Sequence, residues 1–164
     1  LEEAFESELI VDAVIAQSKQ QKQDLWAIRD DIVGLTAKLS PPILFDVSLG
    51  ISEMDGFVTG VRKQLADRWP DSKMVSFGHI GDGNIHLTVT VGSHEPSEVH
   101  AVESIVYEAL ARCHGIISAE HGIGLEKREF LKHSRSAAEI SLMKTLKLAL
   151  DPKGILNRGK IFAE

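Results

Sequence analysis

The stretch MVSFGHIGDGNIHLTVTV, residues 74–91, decides the fold of this 164-residue chain. Residues 74–80 and 85–91 are rich in β-branched and aromatic side chains, and Gly-Asp-Gly-Asn at 81–84 is typical of a hairpin loop. Apolar side chains at 85, 87, 89 and 91 alternate with polar ones at 86, 88 and 90. The stretch therefore predicts two antiparallel strands with one buried and one polar face.

Helical patterns and a further strand candidate surround this hairpin. Residues 43–49 predict a strand, and Ser52 is placed to cap a helix whose apolar stripe is Phe57, Val61 and Leu65. Residues 96–114 predict a helix, 116–118 a brief strand and 136–150 the last helix. The inward positions predicted for the helix at 96–114 are Val99, Val102, Ile105, Val106, Ala109 and Leu110.

The first forty residues carry helical spacing without a strand pattern. Residues 4–19 predict one helix, and Asp24 is placed to cap a second helix that Pro41 and Pro42 end. Together with the hairpin, these elements predict an α+β fold, in which helices pack on one face of a single antiparallel sheet. We expect one folded unit over residues 1–164.

Charge and composition limit the classes of partner. A net charge of −6 and a pI near 5.6 leave no basic stripe for phosphate backbones, so no nucleic acid is expected. No apolar run reaches membrane-spanning length, so no transmembrane segment is expected. Cys113 is the single cysteine, which fits a reducing compartment. The prediction is a cytoplasmic protein, with mitochondrial and membrane-peripheral locations left open, and a homodimer is left open as an assembly.

Two histidines of the hairpin and a later Glu-His pair indicate a metal site. If the loop at 81–84 closes symmetrically, Ile80 pairs with Ile85, and His79 lies directly opposite His86. Glu120 can then complete a two-nitrogen, one-oxygen ligand set that suits zinc or another borderline divalent metal and keeps a coordination position open. His121 is left as a general base.

Purely structural roles for these residues are the alternative to a metal site. A lone histidine is usually a surface or core residue, and Asp-Gly between strands is usually only a turn. The remaining histidines, His94, His100, His114 and His133, are assigned no role. The charged run at 126–129 is interpreted as a solvated helical face.

Four motifs, at residues 25–29, 77–87, 118–124 and 150–162, together resemble the C-terminal domain of FAD-linked oxidases and D-2-hydroxyacid dehydrogenases. They occur in matching order along essentially the whole chain. The resemblance implies a ferredoxin-like cap domain that carries the substrate and metal site, whereas FAD is bound mainly by a preceding FAD-binding domain that this chain does not contain. The isolated chain is therefore expected to be catalytically silent.

The resemblance also implies residue roles. His79, His86 and Glu120 match the ligands of a divalent metal, zinc or manganese, and His121 matches the histidine that abstracts a proton. The substrate-binding matches are Arg29, which would grip a carboxylate, and Asn84; the match near the flavin is Asn157.

The implied reaction is metal-assisted oxidation of a D-2-hydroxy acid, of D-lactate or glycolate type, to the 2-oxo acid with hydride transfer to FAD. Leu44 stands where some members carry a basic residue, which disfavours a dicarboxylate substrate. Two alternatives are kept. One is a self-contained zinc-dependent hydrolase, in which the metal activates water. The other is a non-catalytic module.

Overall fold

The computed structural model describes residues 1–79 and 81–162. The chain divides into two compact units, Leu1–Lys38 and Leu39–Glu164. The first unit contains three helices, α1 (Glu2–Glu6), α2 (Lys19–Asp30) and α3 (Ile32–Lys38).

The N-terminal helix is shorter than the sequence predicts. Helical structure ends at Glu6, and no residue of α1 is buried, so the prediction of one helix over 4–19 is wrong. Short helices need tertiary packing to persist, and α1 lacks a buried face. The cap predicted at Asp24 is also wrong, because the Ser18 hydroxyl accepts a hydrogen bond from the Gln21 amide and α2 begins at Lys19.

The second unit consists of a three-stranded sheet and its helices. The elements in chain order are β1 (Ile43–Ser48), α4 (Met54–Arg68), β2 (Lys73–His79), β3 (Asn84–Thr90), α5 (Pro96–Arg112) and α6 (Ala137–Leu150), with short 3-10 helices at Ile51–Glu53 and Arg128–His133. The sheet order is β1-β3-β2, and both pairings are antiparallel.

The order of elements matches the ferredoxin-like arrangement. A strand, a helix, two hairpin-connected strands and a second helix follow one another, and Ile116 forms an antiparallel bridge with Ser48 at the outer edge of β1. The brief strand predicted at 116–118 is thus reduced to one bridge. The predicted α+β class with an antiparallel sheet is confirmed.

The core lies between one face of the sheet and the two helices α4 and α5. The predicted stripe of Phe57, Val61 and Leu65 is buried. From β1 and β3, alternate residues pack into the same cluster, including Phe45, Val47, Leu87 and Val89. Because side chains alternate across a strand, the residues between them, such as Asp46 and His86, occupy the opposite face.

Two local predictions in this unit are wrong. Ser52 does not cap α4 but lies inside the preceding 3-10 helix, and no side chain caps α4. The run at 126–129 is not a uniformly solvated face, because Lys127 is buried. The fold encloses this lysine because the chain turns back at Gly122 and Gly124, both with positive φ.

The hairpin register differs from the prediction by two residues. His79 pairs with Asn84, and His86 pairs with Phe77, so the prediction that His79 lies directly opposite His86 is wrong. The predicted partner of Ile85 was Ile80, which lies outside the described residues; Ile85 pairs with Gly78. Since the side-chain period of a strand is two, both histidines still lie on one face, as diagonal neighbours.

The loop chemistry explains this register. The Asp82 carboxylate accepts a hydrogen bond from the Asn84 amide at 3.1 Å, and the Asp82 amide donates to the His79 carbonyl at 3.2 Å. Gly83 has a φ of +76°, which suits the last loop residue before the strand resumes. Asn84 therefore belongs to β3 rather than to the loop.

Gly83 allows a direct test of this loop. Gly83→Ala is expected to lower the free energy of unfolding by about 1–3 kcal/mol, because alanine is strained at positive φ. Its Cβ would also stand 2.5 Å from the Leu49 carbonyl oxygen. Urea denaturation provides the measurement. Gly81→Ala is the matched control, since among the described residues, its chain neighbours apart, no atom lies within 4 Å of its added Cβ. Equal stability of the two variants would contradict this explanation of the loop.

Candidate functional site

Three side chains with metal-binding groups meet on the polar face of the sheet. His79 ends β2, His86 lies in β3, and Glu120 lies in the segment after the Ile116 bridge. Each offers one ligand atom, and these atoms all lie within 4.8 Å of one another. The sequence analysis predicted this set, and the structure brings its members together.

These three groups lie close together and are open to solvent on one side. The imidazoles of His79 and His86 meet edge to face, with ring centroids 5.6 Å apart. His79 Nδ1 lies 3.5 Å from Glu120 Oε1, and the side chains of His79 and Glu120 are 42% and 48% exposed. His86 is more enclosed, with its side chain 16% exposed. A ligand approaching the open side would meet all three.

Asp46 holds the site together through buried hydrogen bonds, although the sequence did not identify it as a site residue. This residue of β1 is 1% exposed. One carboxylate oxygen accepts hydrogen bonds from the backbone amides of Glu120 and His121, at 2.7 and 2.8 Å. The other oxygen accepts one from the Asn84 side-chain amide at 3.0 Å. Asp46 thus attaches one loop to the sheet, and this loop contains Glu120 and His121.

The same carboxylate faces two of the histidines. Asp46 Oδ1 lies 3.8 Å from His86 Nδ1, and Asp46 Oδ2 lies 3.8 Å from His121 Nδ1. Burial by itself raises the pKa of the Asp46 carboxyl, but the hydrogen bonds from Glu120, His121 and Asn84 outweigh burial and hold that pKa below its ordinary value. Asp46 is therefore an anion at neutral pH.

His86 remains neutral in this environment. Burial lowers the pKa of its imidazole, and the opposing attraction of Asp46 and Glu120 does not cancel this effect. A neutral imidazole is the form that coordinates a metal. Its contact with Asp46 involves Nδ1, which leaves Nε2 to face other groups.

His121 stands beside the three converging groups rather than among them. Its ring stacks on His86 with centroids 6.1 Å apart and planes at 23°, and its side chain is 65% exposed. This position next to a potential ligand set suits a proton acceptor. The sequence prediction of a base adjoining the site is consistent with the placement of the ring, although its role stays a prediction.

Asn84 is bound to the same network by one end of its amide. The residue is 3% exposed, and its Nδ2 donates to Asp46. Its Oδ1 is buried and has no hydrogen-bond partner within the described part of the chain. Such an acceptor is costly to leave unpaired.

The other two predicted residues lie elsewhere in the chain. Arg29 is in α2 of the first unit, where its guanidinium forms a 3.1 Å ion pair with Asp30. Asn157 lies in the C-terminal tail with a φ of +46°, and its side chain contacts Lys160. The roles predicted for both residues stay predictions.

One family model covers nearly the whole chain. The model of the family described as FAD linked oxidases, C-terminal domain, matches residues 1–161.

The chain belongs to the FAD-linked oxidase C-terminal domain family.

Curated relatives of this FAD-linked oxidase C-terminal domain carry dehydrogenase names. A D-2-hydroxyglutarate dehydrogenase from Stutzerimonas stutzeri is 38% identical over 99% of the chain and 36% of the relative. One from Xanthomonas citri is 42% identical over 98% of the chain and 35% of the relative. A putative mitochondrial D-lactate dehydrogenase from Schizosaccharomyces pombe is 38% identical over 95% of the chain and 31% of the relative.

The chain thus spans about a third of the length of these relatives. Among the helices of residues 1–79 and 81–162, none is long and apolar enough to cross a membrane. Some relatives are named as mitochondrial. The cytoplasmic location expected from composition stays a prediction.

Proposed function

We propose that this domain provides the substrate and metal site of a flavin-dependent enzyme that oxidises a D-2-hydroxy acid, of D-lactate or glycolate type, to the 2-oxo acid. The observation that carries the proposal is the convergence of His79, His86 and Glu120 beside His121. The FAD-linked oxidase family and the dehydrogenase names of the relatives support the class of reaction.

The donor set fits a divalent metal. Two imidazoles and a carboxylate are ligands that zinc and manganese accept, and three protein ligands leave a position for a substrate oxygen. The proximity of the three groups, the neutral state of His86 and the buried anion behind it all agree with this fit. When bound, the metal would supply Lewis acidity toward the substrate's α-hydroxyl, and FAD, held mainly by a domain outside this chain, would supply a two-electron acceptor.

His121 is the proposed proton acceptor. Its Nδ1 faces the Asp46 carboxylate at 3.8 Å, so a proton on Nδ1 is favoured and Nε2 is left with its lone pair. In this tautomer, Nε2 takes the α-hydroxyl proton, and the anionic Asp46 stabilises the resulting imidazolium. Asp46 therefore acts on the histidine without contacting the substrate.

Substrate positioning is assigned to Asn84 and Arg29. Asn84 is proposed for this role through its place in the hairpin, where it pairs with His79. A guanidinium can bind a carboxylate through two parallel hydrogen bonds, which is the role proposed for Arg29. Asn157 is proposed to lie near the flavin, through its position in the tail.

Substitution of His121 tests the proposal. In the flavin-loaded enzyme, His121→Asn is expected to lower kcat for the D-2-hydroxy acid by about 10²–10⁴-fold, because the proton acceptor is lost. The metal content should remain that of the unmodified enzyme, since His121 is not among the three converging groups.

His94→Asn is the matched control for that experiment, because His94 is exposed and was assigned no role. Steady-state kinetics and elemental analysis of the same preparations give the two readouts. A His121→Asn enzyme with the kcat of the His94→Asn enzyme would remove His121 from the proposal.

A further inference from the structure

Lys127 is a buried cation that the proposed reaction does not use. The residue is 9% exposed, although its neighbours Glu126 and Arg128 are exposed. Burial lowers the pKa of its ammonium, and the attraction of Asp46 and Glu126 only partly opposes this effect. Burying an ammonium group is costly, so a specific contact must repay the cost.

That contact leads directly to the loop of the candidate site. Lys127 Nζ donates a hydrogen bond to Ser118 Oγ at 3.0 Å. Ser118 Oγ in turn donates to the Gly122 carbonyl oxygen at 2.8 Å. The second bond connects the ends of the loop at 118–122, and the first attaches Lys127 to that bond. Glu120 and His121 occupy the middle of the loop.

The chain path brings the lysine under this loop. Gly122 and Gly124 have φ of +79° and +58°, which reverses the chain after His121. The Lys127 amide then donates to the Ile123 carbonyl at 3.2 Å and closes a turn. As a result, the ammonium returns to Ser118, nine residues earlier.

Asp46 and Lys127 hold the loop in complementary ways. Asp46 accepts from the amides of Glu120 and His121 in the middle of the loop. Lys127 donates to Ser118 at the start of the loop, and Ser118 in turn donates to Gly122 at its end. The loop is thus held at its middle by Asp46 and at its ends by the bonds of Ser118.

We propose that Lys127 is a positioning residue that holds the Glu120–His121 loop in place through the Ser118 hydroxyl. The inference deepens the proposed function and rests on it, because the loop matters to the extent that Glu120 and His121 do. The hydrogen bonds themselves can be tested without any metal or flavin.

The test measures amide hydrogen exchange in the metal-free 164-residue chain. Lys127→Met keeps an unbranched side chain of similar length but removes the donor, and Ser118→Ala removes the hydroxyl between the lysine and Gly122. Each variant is expected to speed exchange at the Glu120 and His121 amides about tenfold or more, with unchanged exchange in β3 and α5. Lys132→Met, at an exposed lysine nearby, is the matched control.

Cobalt binding, read from the visible spectrum, is measured on the same proteins. Both variants are expected to weaken Co²⁺ binding by about 10–100-fold, the range for residues that orient metal ligands. The double variant should lose little more Co²⁺ affinity than either single variant, because both substitutions act through one chain of hydrogen bonds.

The outcomes distinguish the positioning role of Lys127 from the proposed metal site. Faster exchange at Glu120 and His121 in both variants supports the positioning role even if the unmodified chain fails to bind Co²⁺, and in that case the proposed metal site fails. Unchanged exchange and unchanged Co²⁺ affinity overturn the positioning role and leave the metal site standing. Faster exchange throughout β3 and α5 in Lys127→Met would make the lysine a general stability residue and also overturn the inference. If Lys127→Met does not fold, the lysine is likewise a general stability residue, and the inference is overturned.

Discussion

Asp46→Ala is expected to lower the free energy of unfolding by about 3 kcal/mol or more. The substitution leaves the backbone amides of Glu120 and His121 and the side-chain amide of Asn84 without their shared acceptor. Each polar group left unpaired on burial costs about 1–3 kcal/mol, and bonds to a charged acceptor lie at the strong end. The loop should also become mobile, because all three bonds end on one carboxylate.

Urea denaturation followed by circular dichroism measures this change. Asp67→Ala is the control, because Asp67 forms an exposed i,i+4 ion pair with Lys63 and should contribute less than about 0.5 kcal/mol. If Asp46→Ala were as stable as Asp67→Ala, Asp46 would not organise the loop.

The pH dependence of Asp46→Asn adds a check on the charge. The pKa of Asp46 is lower in the folded chain than its ordinary value, so ionisation of Asp46 favours folding. This contribution is fully present above the unfolded pKa, near 3.8, and is lost as pH falls through the lower folded pKa. The stability difference between the unmodified chain and Asp46→Asn should therefore be constant above pH ~5 and shrink in stronger acid.

The alternation of apolar and polar side chains made most of the second unit predictable. The strand at 43–49, the hairpin, the buried stripe of α4 and the helix at 96–114 could be predicted, because apolar side chains on one face recur with the correct period. The helix at 136–150 buries no residue, but the capping box of Ser136 and Glu139 marks its start. The first unit could not be predicted in the same way. None of the residues in its three helices is buried, so apolar spacing there does not report the packing that fixes helix bounds.

The hairpin shows how a wrong strand register can still predict that two histidines meet on one face. Symmetry of the loop suggested that His79 faces His86, whereas Asp82 and Gly83 close a different loop and set His79 opposite Asn84. The error is an even number of residues, so it moves the histidines along the face and not through the sheet. The meeting of the two rings was therefore predictable, but their exact pairing was not.

Asp46 was not predicted as a site residue, although its position in the sequence is unusual. An aspartate in the middle of the apolar strand at 43–49 is unusual, because a buried carboxylate needs several hydrogen-bond donors. Two of the donors are backbone amides 74 and 75 residues later, which no local pattern reveals. Lys127 was misread for the same reason, since its partner Ser118 is fixed only by the turn between them.

His86→Ala is expected to reduce zinc affinity at least about 100-fold and to remove the single bound equivalent from the purified chain. His86 is the most enclosed of the three converging residues, and burial keeps its ring neutral. Loss of a direct ligand should exceed the 10–100-fold loss that is typical when a supporting partner is removed. Isothermal titration and elemental analysis after dialysis against zinc measure the affinity and the stoichiometry.

The pattern across substitutions makes this prediction specific to one site. His79→Ala and Glu120→Gln should each lose zinc as His86→Ala does, because their ligand atoms lie within 4.8 Å of one another. His94→Ala should retain the full equivalent, since His94 is exposed and is not among the three converging residues. Zinc retained by all three site variants would mean that the ion is held elsewhere. Zinc lost from the His94 variant as well would indicate surface binding. Only selective loss from the three site variants agrees with one shared cation next to His121, which the proposed proton transfer requires.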